Sequence, residues 1–260
     1  MTLPEIYTDK FLSLYGNVKR CRGSYIYTAK GKRITDMYMN SGRAILGWKS
    51  GNAMTLFKNV FDRSILADLP NDYVRQLSSA LQKLFPYAKQ FFVFSSDVNN
   101  DEDKLPVFRP WEKLNFDIIE ESQFVFYPPF GFGQVSVIVS NIEQTVENEK
   151  YSYINDKKII CDLPSPLCAA LSRSIYDLIS ELPKRTEKDF SVFDEYLFSD
   201  FDRNGPYLYP KCSRGDYEKL FLSYLEAGLL LSPDYDFPSI IPFGANPGDL
   251  KKVRKIDAAK

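Results

Sequence analysis

The chain has 260 residues, of which 44% are hydrophobic and 15% aromatic, with 17 Tyr and 20 Phe. That excludes a disordered chain, and the length allows one large domain or two packed together, each with a real core. Lys plus Arg number 33 against 34 Asp plus Glu, with no His, so a basic nucleic-acid footprint and imidazole catalysis are both excluded.

The first residues, MTLPEIYTDKFLSLYG, carry no basic stretch followed by an apolar one. No segment approaches the roughly 20 apolar residues that span a bilayer. The expectation is a cytoplasmic protein with no membrane segment. Residues 23 to 38, GSYIYTAKGKRITDMY, read as a hairpin with Tyr25 and Tyr27 on one arm. Ile34, Asp36 and Tyr38 lie on the other arm, and Ala-Lys-Gly-Lys makes the turn. Asn71 reads as the N-cap of a helix whose Val74, Leu77, Leu81 and Leu84 repeat at helical spacing. FFVF at 91 to 94 is a wholly apolar strand of the kind buried in a parallel sheet.

A polar loop, VNNDEDK, follows at 98 to 104. QFVFY at 123 to 127 and VSVIV at 135 to 139 are strands parted by the turn-rich PPFGFG. Pro166 opens a helix with Leu167, Leu171, Ile175, Leu178 and Leu182 on its buried face. A loop containing Pro183, Gly205, Pro206 and Pro210 leads to a last helix. Its stripe is Tyr217, Leu220, Phe221, Tyr224 and Leu225, and Gly228 ends it. The tail adds two short strands and a helical turn. Helices between strands point to an α/β or α+β layer fold. The four cysteines, Cys21, Cys161, Cys168 and Cys212, form no CxxC pair. They are expected to be free thiols, and no metal site is expected.

Four stretches in this order resemble the class III pyridoxal-phosphate aminotransferases of fold type I, and within them glutamate-1-semialdehyde aminomutase most closely. The first is GSYIYTAKGKRITDMYMNSGRAILGW at 23 to 48. It is similar to the family's opening hairpin through Gly23, Gly31, Arg33, Asp36, Leu46 and Gly47. The second, LPNDYVRQLSSALQKLFPYAKQFFVFSS at 69 to 96, resembles the helix and strand that lead into the phosphate loop. The third, SPLCAALSRSIYDLI at 165 to 179, resembles the family's long late helix. The fourth, residues 216 to 253, is similar to the small C-terminal domain. Together they cover roughly half the chain. The resemblance implies an α/β fold: a reduced aminotransferase-like large domain over 46–182, with a small α+β domain formed by 1–45 and 183–260.

The departures bear on chemistry. Where the family offers a glycine-containing phosphate loop, this chain has Ser95-Ser96-Asp97-Val98-Asn99. An acidic residue there repels a phosphate rather than holding it. The ring that stacks on the pyridine has its nearest equivalent in Trp111, with Glu112 where the family has histidine. The centre is far too short. IEESQ at 119 to 123 echoes the stretch carrying the aspartate that pairs with the pyridine nitrogen, with Glu120 in its place. Alternatively, residues 127 to 140 echo the stretch just after the Schiff-base lysine, which sets Tyr127 at the lysine position. Neither register supplies a lysine, and Lys157 and Lys158 lie too close to Ser165, where the family has asparagine. The family threonine that reaches the neighbouring subunit's phosphate falls on Cys161.

Each candidate also has a structural explanation. Ser95 and Ser96 read as a strand-end turn or a residual anion site. Trp111 reads as packing or a stacking platform. Glu120 with Glu121 is a solvated edge or an acid–base pair. Gly131-Phe-Gly133 lacks a third glycine and reads as a turn. Lys157-Lys158 reads as an exposed turn or, if buried, an amine nucleophile. Most of Phe190, Phe193, Tyr196, Phe198 and Phe201 is expected in the core. The reading that results is a shortened aminotransferase-like protein, without transaminase activity and without bound cofactor. It is expected to be a homodimer that binds a small molecule or partner and neither nucleic acid nor membrane. The alternatives are a divergent pyridoxal-phosphate enzyme acting on a small amino acid, and a structural partner of a full-length aminotransferase.

Overall fold

A computed structural model describes residues 3–49, 51–65, 70–95, 105–113, 122–132, 134–142 and 158–251. The chain forms two compact units, Met1–Ser50 with Arg185–Lys260, and Gly51–Lys184. The first begins with α1 (Leu3–Tyr15), followed by β1 (Val18–Arg22), β2 (Tyr25–Thr28) and β3 (Arg33–Asp36). β2 and β3 pair antiparallel around the expected four-residue turn, and β1 adds on the outer side of β2. Beyond β3, the fully buried carboxylate of Asp36 accepts hydrogen bonds from the Tyr38 and Met39 N–H groups and from Trp48 Nε1. Met39, Asn40, Ser41 and Gly42 all take positive φ, a left-handed turn that three residues with a Cβ adopt only at a cost.

The second unit contains α2 (Ala53–Asp62), α3 (Tyr73–Leu84), β4 (Gln90–Phe94), β5 (Val107–Phe108), β6 (Gln123–Phe126), β7 (Ser136–Ser140), β8 (Ile159–Cys161) and α4 (Ser165–Glu181). The five strands lie in the order β5-β6-β7-β4-β8. The pairings make β4, β5, β6 and β8 run one way and β7 alone the other. FFVF is therefore parallel to β8 on one side and antiparallel to β7 on the other. Phe85, just past α3, meets Phe108, Phe124 and Phe126 edge-on at 5.0, 5.2 and 5.3 Å between centroids. Phe124 and Phe126 fall on alternate positions of β6, and Phe108 on β5 pairs with Phe126, so one face of the sheet is an aromatic core.

α4 packs against both α2 and α3. Its buried residues Ser165 to Ser172 go all the way round the helix, more than the single stripe expected, because neighbours press on several sides. The α3 N-cap is Asp72 rather than Asn71. The Asn71 carboxamide instead accepts from the Tyr73 N–H and donates to Ser165 Oγ at 2.9 Å, tying α3 to the start of α4.

Chain in the first unit resumes with α5 (Glu187–Ser191), α6 (Asp194–Leu197), β9 (Phe201–Asn204), β10 (Tyr207–Pro210), α7 (Tyr217–Glu226), β11 (Leu229–Leu230), β12 (Ser239–Ile240) and α8 (Pro247–Leu250). β11 joins the first sheet parallel to β3, while β9, β10 and β12 form a second, antiparallel sheet. The α7 stripe is buried as expected, and Gly228 ends the helix at φ 82°. The β9–β10 hairpin lies in what the sequence presents as a loop. Phe190, Phe193, Tyr196 and Phe201 are core residues, but Phe198 is 73% exposed, with Lys211 Nζ 4.1 Å above its ring. α8 is pinned by Asp249, which accepts from Tyr25 OH and pairs with Arg33 at 2.8 Å. Among the described residues no helix is long and apolar enough to cross a membrane, and no cluster of metal ligands occurs.

Candidate functional site

In open sheets of parallel strands, ligands bind outside the carboxyl ends of those strands. In the second unit the register fixes what gathers there. Phe94 pairs with Ser136, Val137 with Phe126, Phe126 with Phe108, and Val93 with Cys161. The residues at this edge are, in lateral order, Arg109, Tyr127, Ser136, Ser95 and Asp162, of which Ser136 is the first residue of β7 and the others lie just past their strands. Neighbouring strands lie roughly 5 Å apart, so Ser95 and Tyr127 stand two strands, or roughly 10 Å, from each other.

Ser95 is exposed at the end of β4, and Tyr127 is buried, 8% exposed, just past β6. The short link from Tyr127 to β7 starts with a tight turn in which the Phe130 N–H donates to the Pro128 carbonyl at 2.7 Å. Ser96 and Glu120 lie outside the described residues, as do Glu121, Gly133 and Lys157. Of the two adjacent lysines, Lys158 is exposed at the amino end of β8, where its carbonyl accepts from the Phe91 N–H. Its backbone is thus at the opposite edge of the sheet from Tyr127 and Ser95.

Trp111 sits in a turn that closes when the Glu112 N–H donates to the Arg109 carbonyl at 3.1 Å. Pro110 is second in that turn and Trp111 third, at φ 67°. This is a type II turn, whose third position normally takes glycine. The indole Nε1 donates to the Leu182 carbonyl at 3.2 Å, just past the end of α4. Trp111 is thereby anchored to the helix layer. Sequence reasoning passed over its neighbour Arg109, whose guanidinium lies 3.7 Å from the buried carboxylate of Glu112. The i, i+3 spacing across a proline turn is the signal that could have found this pair. Lys113, next in the chain, is exposed.

Cys161 points into the unit, not out of it. Its sulfur is 3.7 Å from that of Cys168 in the first turn of α4, and both side chains are buried. The hydrogen bond from Cys161 and burial push the Cys168 thiol far up from its ordinary range. The edge as a whole offers a guanidinium–carboxylate pair, a phenol and hydroxyls, which can bind and orient a polar ligand.

No protein-family model matches the sequence. The chain is 27% identical to an uncharacterized protein of Borreliella burgdorferi, covering 92% of this chain and 89% of that one. It is 24% identical to an uncharacterized protein of Treponema pallidum, covering 92% of each. Among solved structures it is similar to the ornithine aminotransferase of Toxoplasma gondii, with TM-score 0.68, 10% identity, and coverage of 100% of this chain and 97% of that one. The chain has an aminotransferase-like fold. The acetylornithine aminotransferase of Elizabethkingia anophelis matches with TM-score 0.64 and 11% identity over 97% and 98% of the two chains. A glutamate-1-semialdehyde aminomutase of Pseudomonas aeruginosa matches with TM-score 0.63 and 10% identity over 98% and 96%. This chain is shorter than these neighbours, and the match still spans them end to end, so the shortening falls inside the fold.

Proposed function

We propose that this chain is a cytoplasmic, homodimeric aminotransferase-fold protein that does not transaminate and binds a small polar ligand or a partner at the carboxyl edge of its five-stranded sheet. The carrying observation is Tyr127, buried between β6 and β7, which one of the two registers of the family resemblance sets at the position of the Schiff-base lysine. Pyridoxal phosphate is the coenzyme the fold implies, and it supplies an electron sink for carbanion chemistry when bound. A phenol cannot condense with its aldehyde, so at that position the side chain does not fit a covalently held coenzyme. Two further features support the reading. Asp97 follows the serines that stand in the phosphate loop, and Lys158 starts from the far edge of the sheet.

The test is incubation of the purified chain with pyridoxal phosphate, borohydride reduction and peptide mass mapping. The expected result is no stoichiometric pyridoxyl-lysine and no amino transfer to a keto acid. A single pyridoxylated lysine, at Lys113 or Lys157 for instance, together with amino transfer would overturn the proposal.

A further inference from the structure

Cys161 is the last residue of β8, the strand at one side of the five-stranded sheet, and Cys168 stands in the first turn of α4. Both lie in the second unit, seven positions apart in the chain, with their sulfurs 3.7 Å from each other. Cys21 and Cys212, both half-buried, belong to the first unit. A disulfide holds its sulfurs at about 2 Å, so this pair is roughly 1.7 Å from bonding distance, a closure within reach of side-chain rotation.

Two buried cysteines in contact can also be small apolar fillers. Two features set this pair apart. The link between them, Asp162-Leu163-Pro164-Ser165-Pro166-Leu167, carries two prolines, whose fixed φ limits how far the strand end and the helix start can part. The burial is graded, with Cys161 7% exposed and Cys168 not at all. A small oxidant therefore meets Cys161 first, and Cys168 waits behind it as the thiol that completes the bond. The bond from Cys161, and then burial, keep the Cys168 thiol protonated, so no thiolate stabilises the reduced pair and the disulfide, once made, resists reduction.

We propose that Cys161 and Cys168 are a redox pair, which a peroxide converts to a disulfide that ties the end of β8 to α4. Cys161 attacks one peroxide oxygen as its thiolate, the O–O bond breaks, and a sulfenic acid and water result. Cys168 then attacks the sulfenic sulfur, the S–S bond forms, the S–O bond breaks, and a second water leaves. Two thiols and one hydrogen peroxide thus give one disulfide and two waters. The tie acts beside Asp162, at the end of the candidate edge that β8 supplies.

Peptide mapping of the native full chain tests it, after hydrogen peroxide treatment, removal of the peroxide and alkylation by iodoacetamide in guanidinium. Lys158 and Arg173 bound a tryptic peptide, residues 159–173, that holds both cysteines. That peptide is expected to lack two hydrogens and carry no alkyl group, and dithiothreitol before alkylation is expected to return it doubly alkylated. The oxidised chain is expected to unfold at a higher urea concentration than the reduced one, a difference that Cys168→Ser abolishes. In Cys168→Ser, Cys161 is expected to stop at the sulfenic acid, which dimedone traps. A peptide still doubly alkylated after peroxide, or Cys161 driven to sulfinic acid beside an alkylated Cys168, overturns the pair. A disulfide that leaves the urea midpoint in place overturns the tie between strand and helix.

Discussion

Trp111 holds a backbone conformation that side chains with a Cβ adopt at a cost of about 1–3 kcal/mol. What retains it is the proline-led turn beneath it and the bond from its indole to Leu182. Two truncations separate these effects. Trp111→Gly and Trp111→Ala lose the same indole contact, but only glycine is at ease at φ 67°. Trp111→Gly is therefore expected to be more stable than Trp111→Ala by about 1 kcal/mol in urea denaturation. Equal stabilities would show that the turn relaxes once the ring is gone. Cys21 gives a second test at this scale. Burial, and then the nearby Asp36 carboxylate, push its thiol up to about 11 from an ordinary 9.0. The unfolded chain thus ionises this thiol at lower pH than the folded one, and stability falls as pH rises from about 9 towards about 11. Alkylation of Cys21 in the native chain should reach half its limiting rate near pH 11, and a half-point near 9 refutes the burial argument. Cys21→Ser should flatten the stability loss over that range.

At the scale of elements, the entry to α2 shows how a glycine fixes a helix pair. Gly51 has φ 61°, and a Cβ there would lie 2.4 Å from Asp177 Oδ2 on α4. Asp177 is also held by Arg173 at 2.8 Å, which limits how far it can swing away. Gly51→Ala is expected to lower stability by about 2 kcal/mol, read as a lower urea midpoint. An unchanged midpoint would mean that the carboxylate moves freely. Helices α3, α4 and α7 were legible because their apolar spacing and end signals agree. β6 and β7 were legible from short apolar runs on either side of a turn-rich link. The β9–β10 hairpin was not, since Gly205, Pro206 and Pro210 punctuate it and its pairing with β12 lies far along the chain. Phe198 is the one of the five aromatics between 190 and 201 that is not in the core. Its exposure follows from its place at the end of α6, where the chain turns outward under Lys211.

At the scale of the molecule, the aminotransferase-like fold was legible from four motifs in order, although no single motif carries it. The edge that collects Arg109, Tyr127, Ser136 and Ser95 was only partly so. Its members come from four strands, and lateral neighbours in a sheet leave no mark on local spacing. Arg109 is the clearest case, since the proline turn hints at its pairing with Glu112 but not at the strands that stand beside it.

The parallel pair of β3 and β11 has a consequence for synthesis. Thr35 waits for Leu229 before the open side of its strand is hydrogen-bonded, and every residue from Gly51 to Lys184 leaves the ribosome in between. During that interval the growing polypeptide displays an unprotected β-edge, the surface on which strands from other molecules stick. The β2–β3 hairpin is thus made long before it is sealed.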